Sequence, residues 1–119
     1  MESLTDIGLN LTHDSFDADR DEVLRRAEAA GVERFIVTGT SVTHSARALE
    51  LARTQPGKLF ATAGIHPHHA QEFDQYSSDA LRTLLGSPEV VAVGECGLDF
   101  FRDFSPREDQ ETAFAAHLD

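Results

Sequence analysis

Glu95 has the residue type and setting best suited to chemistry in this chain. It comes just after the apolar run Val90-Val91-Ala92-Val93 and sits between Gly94 and Gly97, so its carboxylate emerges at the end of a strand. A carboxylate in that position acts as a metal ligand, a general acid or base, or a partner for a helix terminus. Glycines beside it let backbone or ligand approach closely. From spacing alone, a structural and a functional role weigh about equally. The densest histidine group is His66, His68 and His69. Imidazole ligates metals and donates to phosphate oxygens. Pro67 keeps His66 out of helical geometry, and on an extended segment residues i and i+2 share a side, which would bring His66 and His68 to one ligand. An exposed loop with incidental histidines is the competing reading. Asp99 and Arg102 follow Glu95 on one loop, where a buried Asp orients the chain through charge-assisted hydrogen bonds and the Arg is its partner or a phosphate contact. His13, His44 and His117 show no partner and read as surface residues. Cys96 has no neighbouring histidine to activate it and reads as an inert, buried thiol. The acidic run Asp14, Asp17, Asp19, Asp21, Glu22 lacks the spacing of a calcium loop and reads as a solvated face.

The elements that would position these residues alternate between strand and helix. The sequence predicts a strand over Ile7 to Leu11, then a helix opened by Asp19 and Glu22 as an acidic capping box, with Val23, Leu24, Ala27 and Ala30 as its stripe and Gly31 as its stop. Phe35-Ile36-Val37 reads as a buried parallel strand ending at Thr38-Gly39-Thr40. A helix from Ser41 to Thr54 follows, with Val42, Ala46, Leu49 and Ala52 on one face and Pro56-Gly57 ending it. Leu59 to Ala63 is the next strand and runs into the histidine loop. A short helix after Ser77-Ser78 uses Leu81, Leu84 and Leu85, and Val90 to Val93 is the fourth strand. The last helix has Ser105 as N-cap, Pro106 in its first position and Glu108 closing the box, with Phe114 and Leu118 on one side.

This alternation implies parallel strands joined by crossovers, in either an open doubly wound sheet or a barrel. The stretch from Gly8 to His13 offers no glycine-rich dinucleotide turn. The strand ends instead carry Asn10, Thr38, Thr40, His66 and Glu95, which is how a (β/α)8 barrel builds its active site. Such a barrel needs ~250 residues, so 119 residues would supply roughly the first four βα units as one N-terminal half, with no separate second domain. In that half-barrel the first and fourth strands lack neighbours, and an inner face of Phe35, Val37, Val91 and Val93 lacks opposing strands, so self-association is expected.

Composition, 40% hydrophobic and 26% charged, fits a globular domain and excludes a disordered one. The net charge of −11 excludes the basic footprint of a non-specific nucleic-acid binder. One cysteine excludes an internal disulfide and fits a reducing compartment. With no signal-peptide pattern at the start and no apolar run of ~20 residues for a membrane, the expectation is a cytoplasmic protein with no membrane partner.

Five blocks taken together resemble the TatD family of metal-dependent deoxyribonucleases: Asp6-Ile7-Gly8-Leu9-Asn10-Leu11-Thr12, Asp19-Arg20-Asp21, Thr38-Gly39-Thr40, Ala63-Gly64-Ile65-His66-Pro67-His68 and Gly94-Glu95-Cys96-Gly97-Leu98-Asp99-Phe100. The likeness spans nearly the whole chain, and the last two blocks are its most specific parts. It implies a TIM-barrel metallo-dependent hydrolase with 3′-5′ exonuclease action on single-stranded DNA ends, and RNA as a further substrate. The implied cofactor is a divalent cation, Mg²⁺ first, with Mn²⁺ or Zn²⁺ as alternatives. Glu95 falls on the family's carboxylate metal ligand and His66 on a histidine near the scissile phosphate. His68 and Arg102 are further phosphate contacts, while Asp99 and Asn10 support the site from behind. Most members carry a His-x-His pair where this chain has Gly8 and Asn10, a variant shared by the branch around the founding member. The family's later ligands, two histidines and an aspartate, lie beyond Asp119. Two other expectations follow from the residues: a non-catalytic half-barrel, and a related amidohydrolase-like barrel acting on a small molecule.

Overall fold

The strands are four and parallel, in the sequential order β1-β2-β3-β4, and a helix follows each one. The computed structural model describes residues 2–119. β1 (Leu4–Leu9), α1 (Arg20–Ala29), β2 (Val32–Val37), α2 (Val42–Thr54), β3 (Leu59–Ala63), α3 (Gln75–Leu85), β4 (Val90–Val93) and α4 (Arg107–Leu118) succeed one another, with 3-10 turns at Asp14–Phe16 and Pro67–Glu72. Among the described residues, no helix is long and apolar enough to cross a membrane.

The helices cover one face of the sheet, and the core lies there. Phe35 pairs in register with Leu59 and Val37 with Ala61, so these side chains share a face, and none is more than 2% exposed. Leu24 of α1, Ala48, Leu49 and Ala52 of α2, and Leu81 of α3 close over them. Each large aliphatic or aromatic side chain buried this way contributes about 1.5–3 kcal/mol. The opposite face carries Thr5, Arg34, Ile36, Phe60 and Val91 around an open hollow.

The expected inner face of Phe35, Val37, Val91 and Val93 therefore needs correction. Phe35 and Val37 lie under the helices, and strand alternation leaves Arg34 and Ile36 on the open side. Val93 pairs with Ala63 and lines a cleft with Leu81 and Leu85, since a register shift between Ala61 and Thr62 changes its parity. Only Val91 of the four stands on the open side.

Several element boundaries and caps also differ from expectation. β1 runs from Leu4 to Leu9, earlier than expected, because Leu11 leaves the strand to become fully buried while Ile7 is exposed. Asp19 makes no side-chain cap, and Glu22 instead meets Arg25 and Arg26 along α1. Ser41, read as the start of the second helix, is the N-cap of α2 and accepts from the His44 N–H, but the buried face is Ser45, Ala48, Leu49 and Ala52, and Ala46 is only half-buried. α3 starts earlier than Ser77-Ser78: Asp74 is its N-cap, and Ser77 is the other half of the capping box. Ser105 is not the cap of α4. It is fully buried, and its hydroxyl donates to the His68 carbonyl at 2.9 Å and accepts from the Gln71 N–H at 3.3 Å, so it is spent on the neighbouring loop. On α4 the buried residues are Gln110 and Ala113, whereas Leu118 is 72% exposed.

Candidate active site

Two loops leaving adjacent strands at their C-terminal ends build the site. The first, Gly64 to His69, follows β3, and each of its first three backbone N–H groups is held by a different element. Gly64 N–H donates to Ser45 Oγ of α2 at 3.1 Å, and that hydroxyl donates back to the Gly64 carbonyl at 3.3 Å. Ile65 N–H donates to His117 Nε2 of α4 at 2.9 Å. His66 N–H donates to the Thr40 carbonyl, beyond β2, at 2.9 Å. With Pro67 next, no donor is left over until His68 N–H, which is taken by His66 Nδ1 at 3.0 Å.

That last bond fixes the chemistry of His66. Nδ1 accepts a hydrogen bond and carries no proton, so the neutral ring presents Nε2–H outward. Nε2 lies 3.5 Å from Glu95 Oε1. Burial lowers the His66 pKa, with the nearby Glu95 charge opposing the shift, so the neutral ring is favoured at neutral pH. A neutral imidazole in this tautomer is a donor at the open side and does not offer a lone pair there.

The second loop, Gly94 to Ser105, follows β4. Glu95 N–H donates to the Gly39 carbonyl at 2.7 Å and Gly94 N–H to the Ala63 carbonyl at 2.9 Å, which fastens the start of the loop to β2 and β3. The glycine needed for this closeness is on the other loop: a Cβ at Gly64 would lie 2.6 Å from the Gly94 carbonyl carbon and 2.7 Å from the Glu95 carbonyl oxygen. The Glu95 side chain is about half exposed and stays open. Asp99 holds the rest. Its Oδ1 accepts from the Arg102 N–H at 3.0 Å and its Oδ2 from His68 Nε2–H at 2.6 Å, and these bonds, the backbone one foremost, hold its carboxyl down to about 2. His68 therefore keeps Nδ1 as its remaining nitrogen. The Arg102 guanidinium stands 3.6 Å from Asp99 Oδ2, an ion pair looser than a hydrogen bond, and is mostly exposed. Burial pushes the Cys96 thiol up, away from the reactive thiolate.

The structure thus brings His66, His68, Glu95, Asp99 and Arg102 into one connected cluster, with the His66 and His68 rings 4.2 Å apart edge to face. The route differs from the extended-strand reading: His66 is extended, but a 3-10 turn starts at Pro67, and the turn stacks the rings. A groove of about 230 Å³ runs beside them, lined by Asn10, Thr40, His44, His66, His68 and His69 among others. Asn10 is at its rim, exposed, and its carbonyl accepts from the His13 N–H at 3.2 Å. Among the described residues, no group of three or more His, Cys, Asp or Glu side chains converges on one point as a metal cage.

The three histidines read as partnerless all have partners. His44 Nδ1 meets Thr12 Oγ1 at 2.9 Å, His13 Nδ1 accepts from the Ser15 N–H at 3.1 Å, and His117 Nδ1–H donates to the Ala113 carbonyl at 2.6 Å while Nε2 accepts from Ile65. Gln110, fully buried, was missed entirely. Its Oε1 accepts from the Asp99 N–H at 2.7 Å and its Nε2 donates to the Ser105 carbonyl at 2.9 Å. The one available signal was the spacing Gln110, Ala113, His117, a helical stripe carrying two polar residues where apolar ones are usual.

Polar side chains at the C-terminal ends of sequential parallel strands, over a helix-covered sheet, define this chain as part of a (β/α)8 barrel. The pattern of the TatD related DNase family matches residues 5–119, and the chain belongs to that family. It is 51% identical over 113 residues to a protein named 3′-5′ ssDNA/RNA exonuclease TatD from Erwinia tasmaniensis, covering 95% of this chain and 44% of that one. Among solved structures, it superposes on the TatD homologue YjjV from Escherichia coli K12 with a TM-score of 0.86 at 33% identity, covering 97% of this chain and 45% of the other. A TatD family hydrolase from Entamoeba histolytica gives a TM-score of 0.82 at 30% identity, over 98% and 44% of the two chains. The chain thus spans less than half the length of the relatives it matches.

Proposed function

We propose that residues 1–119 are the N-terminal half of a metal-dependent phosphodiester hydrolase acting as a 3′-5′ exonuclease on single-stranded DNA, and on RNA as well. The carrying observation is the pair His66 Nε2–Glu95 Oε1, a neutral donor and an open carboxylate 3.5 Å apart at the ends of adjacent strands. The donor set fits part of a divalent cation's shell. Glu95 is the ligand, and the tautomer of His66 suits it to a phosphate oxygen and not to a metal. A bound divalent cation, Mg²⁺ before Mn²⁺ or Zn²⁺, supplies Lewis-acid polarisation of the phosphoryl oxygen and a water of lowered pKa. His66 donates Nε2–H to a non-bridging oxygen. Asp99 fixes the His68 ring by taking its Nε2–H, so only Nδ1 is left for the same phosphate, and it donates there only when it carries a proton; Arg102 adds charge at the rim. Asn10 stands on the opposite rim as a support.

In the full-length protein, Glu95→Ala should lower nuclease turnover by orders of magnitude, while Cys96→Ala leaves it within about twofold. Equal losses would show a fragile loop and no ligand. Residues 1–119 alone hold divalent metal only weakly, because one carboxylate is a poor site for Mg²⁺.

The open face around Ile36, Phe60 and Val91 and the free edges of β1 and β4 lead the 119-residue chain to self-associate when isolated. Sedimentation over a concentration series tests this, and a monomer at all concentrations overturns it.

A further inference from the structure

The loop after β4 exposes more aromatic surface than any other part of the chain. Of eight phenylalanines, Phe100, Phe101 and Phe104 fall within five residues, and they are 36%, 95% and 65% exposed. The other five are buried or half-buried. Floppiness does not explain this exposure. Gln110 ties Asp99 to Ser105 from beneath, Asp99 accepts from the Arg102 N–H, and Asp103 N–H donates back to the Asp99 carbonyl at 3.0 Å. A held backbone presents these rings outward in advance of any contact.

The rings are also continuous with the site. Phe104 lies edge to face against His68, with centroids 4.8 Å apart, and His68 in turn stacks on His66. The Arg107 guanidinium lies 4.7 Å above the Phe100 ring, and Arg102 stands exposed between Phe101 and Phe104 in the sequence.

We propose that Phe101 and Phe104 are a base-stacking platform for the single-stranded nucleic acid leading away from the scissile phosphate, with Arg102 and Arg107 against its backbone. The proposal rests on the nuclease reading above. The net charge of −11 opposes long-range attraction of a nucleic-acid strand, so contacts at the site itself must offset it. Flat apolar rings beside guanidinium groups suit nucleobases of any sequence, because every base has a π-face.

The test uses the full-length protein in EDTA, with a 5′-labelled single-stranded oligothymidylate as probe and fluorescence anisotropy as readout. Phe101→Ala and Phe104→Ala should each raise Kd by about 5- to 100-fold, and Phe101→Trp should restore binding. An oligonucleotide with abasic sites at its 3′ end should bind the wild type weakly and the alanine variants no worse. Unchanged Kd in both alanine variants overturns the platform. So does an equal loss on intact and abasic probes with a lowered Tm, which would place the rings against other parts of the same polypeptide. An oligonucleotide that binds through these rings but is not cleaved when metal is restored removes the nuclease reading and leaves the platform standing.

Discussion

The loop after β3 hangs its backbone on three other elements, whereas the loop after β4 is held beyond Glu95 by Asp99, by Gln110 of the helix that follows it and by side-chain bonds to the histidine loop. In the first, Ser45, His117 and Thr40 take up consecutive N–H groups, so the position of His66 reports the docking of α2, of α4 and of the β2 end. In the second, Asp99 within the loop and Gln110 on the first turns of α4 lock the turn, so Arg102 and the exposed rings are set by partners close in sequence. One loop is therefore stiff through partners far along the chain, and the other mainly through Asp99 and the start of the next helix. Damage to distant helices should disturb the histidines more than it disturbs the aromatic turn.

The contact between the loops, at Gly64, is where the distinction breaks most severely. Gly64→Ala would press a Cβ against the Gly94 and Glu95 backbone, which has no rotamer through which to retreat. A loss of about 1–3 kcal/mol or more is expected in urea unfolding, together with loss of the Glu95–His66 geometry. Gly8→Ala, with open space around the new Cβ, should be close to neutral. Similar losses at both positions would show that backbone approach between the loops is unimportant.

A smaller effect sharpens the comparison. His117→Ala leaves the buried Ile65 N–H without an acceptor, at a cost of about 1–3 kcal/mol. His117→Gln, whose amide oxygen can accept the same N–H, should recover most of it. Chemical shifts should move at Ile65 and His66 and stay put at Phe101 and Arg102. If the aromatic turn moves as much as the histidine loop, the two are one unit and the contrast fails.

Much of this was legible in the sequence, for reasons that are themselves physical. The core of β2 from Phe35 to Val37, β3 from Leu59 to Ala63 and β4 from Val90 to Val93 announce themselves as short, mostly apolar runs of the kind parallel strands carry, although only Val90 of β4 is buried in this chain. Glu95, His66, His68, Asp99 and Arg102 stood out because polar groups directly after such runs are unusual, and the structure brings all five together. β1 was misplaced because Thr5, Asp6 and Gly8 give it no clean pattern. Ser105 looked like a cap because its local spacing to Pro106 and Glu108 is that of one, and only its burial against His68 and Gln71 reveals another use. His117 and Gln110 were illegible for a related reason. Their meaning lies in partners 52 and 11 residues away, and no local pattern encodes a hydrogen bond across that distance.

The bond from Ile65 to His117 has a consequence in time. Its two ends are 52 residues apart, and a ribosome adding about 5–20 residues per second needs roughly 3–10 s to make that stretch. Throughout that interval the acceptor for the Ile65 N–H has not been synthesised, and this bond cannot form however early the strands begin to pair. The histidine loop is therefore finished late in the nascent chain's life. The order of synthesis keeps His66 unset until the helix after Glu95 has been made.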